Sequence, residues 1–139
     1  MDSDLNVKTV LARALPVAAM VLATGALTTS PAAALDWDWG PYYSSGKGAK
    51  VYFEEDGDQF KVCDIKTDGM RALVWVTTSS NRYLMDFSDS KNDGKCSYSK
   101  ASDGSFYNLP ENTWIEITAC VTNGNGCQHP GTTYNIYND

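Results

Sequence analysis

The single histidine of the chain, His129, is the residue that could act as a general base, and its sequence context argues against that role. It stands in Cys127-Gln128-His129-Pro130, beside a cysteine and a proline, as is typical of a surface loop. A Ser-His-Asp triad would have to be built around it, and no serine lies in a Gly-x-Ser-x-Gly elbow. The sequence therefore predicts no catalytic residue and a function that is not enzymatic. A small hydrolase that uses His129 or surface carboxylates is the least supported alternative.

Two acidic clusters are the other candidates for chemistry. Glu54-Glu55-Asp56-Gly57-Asp58 has the composition of a hairpin turn, in which Asp and Gly are common. The second cluster, residues 86–93, resembles a calcium-binding loop, but Lys91 and Lys100 stand where oxygen ligands are required. We therefore predict solvated turns, no metal site and no cofactor, with a weakly held Ca²⁺ as the alternative. No pair of carboxylates can be singled out for glycoside hydrolysis.

The first 34 residues have the pattern of a secretory signal peptide. Lys8 and Arg13 precede the apolar stretch 14–27, and Ala32-Ala33-Ala34 offers small residues for cleavage before Leu35. The apolar stretch is too short to span a bilayer, and no longer one follows it. We therefore expect a secreted, extracellular chain without a membrane anchor.

All four cysteines lie beyond this leader, where an oxidising compartment favours two disulfides over a metal site. Four cysteines allow three pairings. We favour Cys63 with Cys96 and Cys120 with Cys127, because the second pair brackets Thr-Asn-Gly-Asn-Gly, at which the chain can turn back sharply.

The net charge of −6 comes from 11 basic and 17 acidic residues, and the basic residues are scattered along the sequence. Binding to phosphates requires clustered lysine and arginine. Nucleic acid and anionic membranes are therefore not expected partners.

Period-two alternation of apolar residues, interrupted by turn residues, recurs beyond residue 48 and indicates β-strands. The fold class is predicted to be all-β, a small disulfide-bonded antiparallel sandwich or open barrel of about six strands over residues 49–139. The polar stretch 88–112 is expected to be a long loop. The six predicted strands are 50–55, 59–65, 71–78, 82–87, 113–122 and 132–137.

Cys63, Trp75 and Cys120 reproduce the Cys-Trp-Cys order of an immunoglobulin domain, but Thr118 stands where that fold places a tyrosine. We therefore interpret Trp75 more simply, as a core residue of a central strand.

The residues that follow the leader form a short aromatic segment. Trp37 and Trp39 alternate with Asp36 and Asp38, which predicts an extended ribbon with one aromatic and one acidic face. Gly40-Pro41 is expected to end this ribbon, and residues 44–48 are expected to form a flexible linker, so that 35–48 is a tail ahead of the body.

Burial of each tryptophan would stabilise the protein by roughly 2 to 3 kcal/mol, so something should cover them. In one interpretation the segment is an edge strand packed on the protein's own body. In the other it is a recognition tail that enters a groove of another protein as an extended strand. The candidate partner-binding residues are Leu35, Trp37, Trp39, Tyr42 and Tyr43.

The leader, the aromatic segment, the four-cysteine β body and the phrase Asp58-Gln59-Phe60-Lys61-Val62-Cys63-Asp64 with Asp68-Gly69 together resemble small secreted actinobacterial proteins. In layout the chain is most similar to the adaptor subunit of umbrella toxin particles. The resemblance implies a non-enzymatic adaptor that joins a toxin subunit to a lectin subunit in interbacterial antagonism, with Trp37 and Trp39 as docking residues. The alternative is a secreted carbohydrate-binding domain or an inhibitor of an extracellular enzyme.

Overall fold

The structure, a computed structural model, describes residues 36–91 and 93–139; the predicted leader and Leu35 lie outside the described residues. In the described part, three short 3-10 turns occur at Ser45–Lys47, Ala101–Asp103 and Ser105–Tyr107, and no helix has the length and apolarity needed to cross a membrane. The eight strands are β1 (Trp39–Tyr43), β2 (Ala49–Glu54), β3 (Gln59–Asp64), β4 (Arg71–Thr78), β5 (Tyr83–Asp89), β6 (Cys96–Ser99), β7 (Thr113–Thr122) and β8 (Thr133–Asn138).

The strands form two antiparallel sheets of four, in the orders β1-β2-β3-β6 and β5-β4-β7-β8. The predicted all-β class with disulfides is confirmed. Residues 36–91 and 93–139 contain eight strands rather than about six, because β1 lies in the segment expected to be a tail and β6 in the stretch expected to be a loop. Both are short edge strands, and β1 has an irregular register between Trp39 and Tyr42, so neither produces a clear alternation in the sequence.

The hydrophobic core lies between the two sheets and is built from alternate residues of the strands. In the first sheet Val51 faces Val62 and Phe53 faces Phe60, whose ring centroids are 4.6 Å apart. Full burial of each such side chain contributes about 1.5 to 3 kcal/mol, so this alternation decides which face of each strand turns inward. The fully buried core residues of the second sheet include Val74, Val76, Met85, Ile115, Ile117 and Ile136.

The two disulfides are those predicted, Cys63 with Cys96 and Cys120 with Cys127. The first joins directly opposed residues of β3 and β6, so it holds the four-residue edge strand β6 against the sheet. Because Cys63 pairs with Cys96, the chain lacks the immunoglobulin-type Cys63–Cys120 bridge. The interpretation of Trp75 as a core residue is wrong: it is partly exposed and lies on the outer face of the second sheet, opposite Asp86.

The predicted flexible linker is an ordered turn between β1 and β2. The Ser44 hydroxyl accepts hydrogen bonds from the backbone N–H groups of Gly48 and Ala49, at 3.1 and 2.9 Å. A Cβ atom at Gly48 would lie 2.7 Å from the Val121 side chain, so the absence of a side chain allows the turn to pack on the second sheet. The sequence did not indicate this ordered turn, because a composition rich in serine and glycine is also typical of flexible linkers.

A buried carboxyl group joins the turn after β2 to the end of β8. Asp58 is 1% exposed, and its carboxylate accepts hydrogen bonds from the Leu109 backbone N–H at 2.7 Å and from the Asn138 side chain at 3.3 Å. The Asn138 amide also donates to the Pro110 carbonyl at 3.2 Å. Burial raises the pKa of Asp58, although both hydrogen bonds lower it. The expectation of a solvated turn is therefore wrong for Asp58.

Candidate functional site

The outer face of the first sheet carries a row of aromatic and lysine side chains across three strands. Tyr52 of β2 lies opposite Lys61 of β3, and Lys61 lies opposite Tyr98 of β6. Tyr52 and Lys61 alternate with core residues and therefore face outward, and Tyr98, which lies opposite Lys61, faces the same side. The Lys61 ammonium group lies 5.1 Å from the Tyr52 ring centroid and 5.9 Å from that of Tyr98, within the range of cation–π attraction.

Trp37, which lies in the segment just before β1, contacts this row. Its ring centroid is 5.9 Å from that of Tyr52 and 6.3 Å from that of Tyr98. Lys50, a neighbour of Tyr52 along the sequence and on the same sheet, places its ammonium group 5.6 Å from the Tyr52 ring. We call the set of Trp37, Lys50, Tyr52, Lys61 and Tyr98 the aromatic face.

The aromatic face borders a cavity of about 590 Å³. Trp37, Lys61 and Tyr98 line one part of it, and Lys100 and Asp103 line another. Tyr98 is 61% exposed, more than any other large hydrophobic side chain described. Exposed rings next to ammonium groups can bury apolar surface of a partner and pair with its carboxylates. The arrangement is therefore suited to binding.

The predicted partner-binding residues have different positions in the structure, apart from Leu35, which is not described. Trp37 belongs to the aromatic face, whereas Trp39 is 38% exposed and donates a hydrogen bond from its indole N–H to the Glu55 carboxylate at 2.6 Å. Tyr43 is exposed beneath the Lys47 ammonium group, 5.9 Å from the ring centroid. Trp39 and Tyr43 therefore form no ring pair with Trp37 among the described contacts.

Tyr42 is a correction to the sequence-based set of partner-binding residues. It is 8% exposed, lies in the core and stacks on Tyr134 with ring centroids 3.8 Å apart. Burial, together with Tyr134, raises the pKa of its hydroxyl. Gly40-Pro41 does not end the extended segment, because the chain continues in β1 and pairs with β2 as far as Tyr43. Tyr42 therefore contributes to the core and is not available to a partner.

The acidic residues next to β1 repel one another. Burial raises the pKa values of Glu54 and Glu55, and the Asp38 carboxyl raises both further.

The Asp89 carboxylate, from the second acidic cluster, is buried and accepts hydrogen bonds from the Asp64 N–H and the Ser97 hydroxyl. Within residues 36–91 and 93–139 no group of three or more side chains is arranged to hold a metal ion.

A second group of rings lies on the second sheet. Trp75 and Tyr83 have ring centroids 4.8 Å apart, and Phe106 is 6.4 Å from Tyr83. The Tyr83 hydroxyl donates a hydrogen bond to the Asp86 carboxylate. Burial raises the pKa of Tyr83, and this hydrogen bond raises it further. His129 lies in the loop between β7 and β8, where its carbonyl accepts the Ser45 N–H at 3.0 Å.

Sequence reasoning did not single out Tyr52, Lys61 and Tyr98, which the structure brings together with Trp37. The alternation in β2 and β3 indicates that Tyr52 and Lys61 face the same side, and this signal is present in the sequence. Tyr98 lies in β6, which was expected to be loop, and its register with Lys61 depends on pairing between distant segments.

Comparison of the chain with models of protein families, with curated proteins and with solved structures gave no match.

Proposed function

We propose that this protein is a secreted, non-enzymatic adaptor that binds another extracellular protein through the aromatic face. The observation that carries the proposal is the row Tyr52, Lys61 and Tyr98 with Trp37 beside it, partly exposed on a disulfide-bonded sheet. Tryptophan and tyrosine are enriched among residues that dominate binding energy. The positions of Tyr52 and Tyr98 on paired strands reduce the conformational entropy that binding would otherwise cost.

The charges of the aromatic face specify the partner further. Lys50 and Lys61 lie over Tyr52, in a protein whose net charge is −6. An acidic surface with apolar residues at its centre would complement this face. A patch on such a partner would bring carboxylates to the two ammonium groups and apolar side chains to the rings.

The leader pattern and the two disulfides support secretion, because disulfides persist in oxidising compartments. The resemblance in layout to the adaptor subunit of umbrella toxin particles supports a toxin subunit and a lectin subunit as the partners. In this proposal Trp37 contributes to docking as part of the aromatic face, rather than as the tip of a free tail.

The test is affinity purification of the tagged protein from culture supernatant of the source organism. Wild-type protein should recover large partner proteins in fixed stoichiometry, and the double substitution Lys61→Ala with Tyr98→Ala should reduce that recovery at least tenfold, which corresponds to about 1.4 kcal/mol. Phe106→Ala is the matched control, since Phe106 is a similarly exposed ring outside the aromatic face. Equal recovery by all three proteins would contradict the proposal, as would an isolated monomer at every concentration.

Carbohydrate binding is a second candidate, favoured by the rings of Trp75 and Tyr83 beside Asp86. Partly exposed rings can stack on the apolar faces of sugars, while carboxylates accept hydrogen bonds from sugar hydroxyls. A glycan array separates the two functions. Glycan binding that is lost in Tyr83→Ala and kept in Tyr98→Ala, with no co-purifying protein, would replace the adaptor proposal with this one.

A further inference from the structure

The open edge of β8 is poorly protected against pairing with another strand. β8 lies at the edge of the second sheet and pairs with β7 without a register shift. Its six residues, Thr-Tyr-Asn-Ile-Tyr-Asn, include no proline and no charged residue. Edge strands in proteins are commonly protected by lysine, proline, bulges or short length. β8 has six residues, so it is not unusually short, and it has none of the other protective features.

The other three edge strands each have such a feature. β1 contains Pro41 and an irregular register. β6 has only four residues and is bonded to β3 by a disulfide. β5 carries Asp86 and Asp89, and its register with β4 shifts between Val76 and Thr77. Among the described strands, β8 is therefore the edge best suited to the addition of a strand.

Aromatic rings flank both sides of the β8 edge. On the outer side Tyr137 is 42% exposed and packs edge-on against Trp114, which is 53% exposed, with centroids 5.4 Å apart. On the inner side Tyr134 stacks on Tyr42. An added strand would place alternate side chains on these two sides. Apolar residues at alternate positions of that strand would then be covered by the rings.

The charged residues of the neighbouring strand β7 and of the chain just after β8 are all acidic. β7 contributes Glu116, and neither strand contains lysine or arginine; Lys100 is the last basic residue of the sequence. Beyond the end of β8, the carboxyl of Asp139 lies against that of Glu55. Burial raises the pKa of Glu55 and the Asp139 carboxyl raises it further, although the Trp39 indole lowers it. An arriving ammonium or guanidinium group would relieve this repulsion.

We propose that the open edge of β8 binds an extended segment of a partner protein, with alternating apolar residues and with lysine or arginine at the end beside Asp139. The proposal rests on the proposed adaptor function, and it assigns a second contact surface that is separate from the aromatic face. Main-chain hydrogen bonds supply the affinity, and the rings and carboxyls supply the specificity. Pairing with a second copy would bring together two chains of net charge −6, which disfavours that occupant.

The probe is a synthetic peptide of two lysines followed by alternating valine and threonine, titrated into isotope-labelled protein while amide chemical shifts are recorded. We expect saturable shifts concentrated in β8 and at least tenfold slower amide exchange there. A peptide with an N-methyl group at every valine and threonine lacks main-chain donors along the strand and should not bind. Replacing the two lysines by glutamates should weaken binding about tenfold, and Asp139→Asn should reduce the affinity for the lysine peptide several-fold.

Three results would overturn the proposal: no shifts in β8, equal binding of the N-methylated peptide, or shifts confined to the aromatic face. A dimer in the absence of peptide, detected by sedimentation and lost in Asn135→Lys, would also overturn it, because a second copy would then occupy the edge. Tyr98→Ala should leave peptide binding unchanged. The failure of this proposal is therefore distinguishable from failure of the aromatic face as a partner site.

Discussion

Trp37→Ala should destabilise the protein substantially, because Trp37 packs on the protein's own body. Its ring lies against Tyr52 and Tyr98, and much of its surface is covered. If about 150 Å² is covered, burial at about 25 cal/mol per Å² contributes about 4 kcal/mol. Residual burial in the unfolded chain lowers this value, so the expected loss is about 3 kcal/mol. A tail that awaits a partner would lose almost nothing.

The assay is equilibrium unfolding in urea, followed by far-ultraviolet circular dichroism so that removal of the indole does not affect the signal. Trp114→Ala is the matched control, since Trp114 is 53% exposed and is paired with one ring only. We expect the unfolding midpoint to fall clearly further for Trp37→Ala than for Trp114→Ala, with little change in the slope against urea. Equal midpoints for Trp37→Ala and the wild type would refute the packing argument.

Three further predictions concern the fold. The chain-entropy model assigns about 3.8 kcal/mol to the Cys63–Cys96 disulfide and about 2.5 kcal/mol to Cys120–Cys127, because the sequence separations are 33 and 7. Replacing the first pair by alanine should therefore lower the thermal midpoint by about 5 to 10 °C more than replacing the second, and the reverse order would contradict this account. Burial raises the pKa of Asp58 above its ordinary value of 3.8, so the folded chain binds this proton more tightly than the unfolded chain. The stability that this group contributes is lost as the pH rises through that raised value, so the thermal midpoint should increase as the pH falls through it towards 3.8, less so in Asp58→Asn; a midpoint that falls would argue against it. A Cβ atom at Gly131 would collide with the carbonyl oxygen of Tyr43, so Gly131→Ala should cost about 1 to 3 kcal/mol in urea unfolding, and a neutral result would show that β1 can move.

The sequence contained enough information for most strands and both disulfides. Residues such as Val51, Phe53 and Ile117 alternate with polar residues over single strands, and this periodicity is a local property that follows from one buried face. The Cys120–Cys127 pairing follows from a short Gly-Asn turn, which is equally local. The all-β class could therefore be predicted before any register was known.

The tertiary structure decided which residues meet. Tyr98 joins Lys61 through pairing between segments that are far apart in sequence, and Asp58 meets Asn138 across 80 positions. The structure also placed Trp37 on its own sheet and Tyr42 in the core, where the sequence left a choice between packing and docking. The alternation of apolar and polar residues indicates which side of a strand is apolar, but only the pairing of strands determines what that side faces. For this reason the sequence determined the class of fold, whereas the aromatic face and the open edge of β8 exist only once the two sheets are assembled.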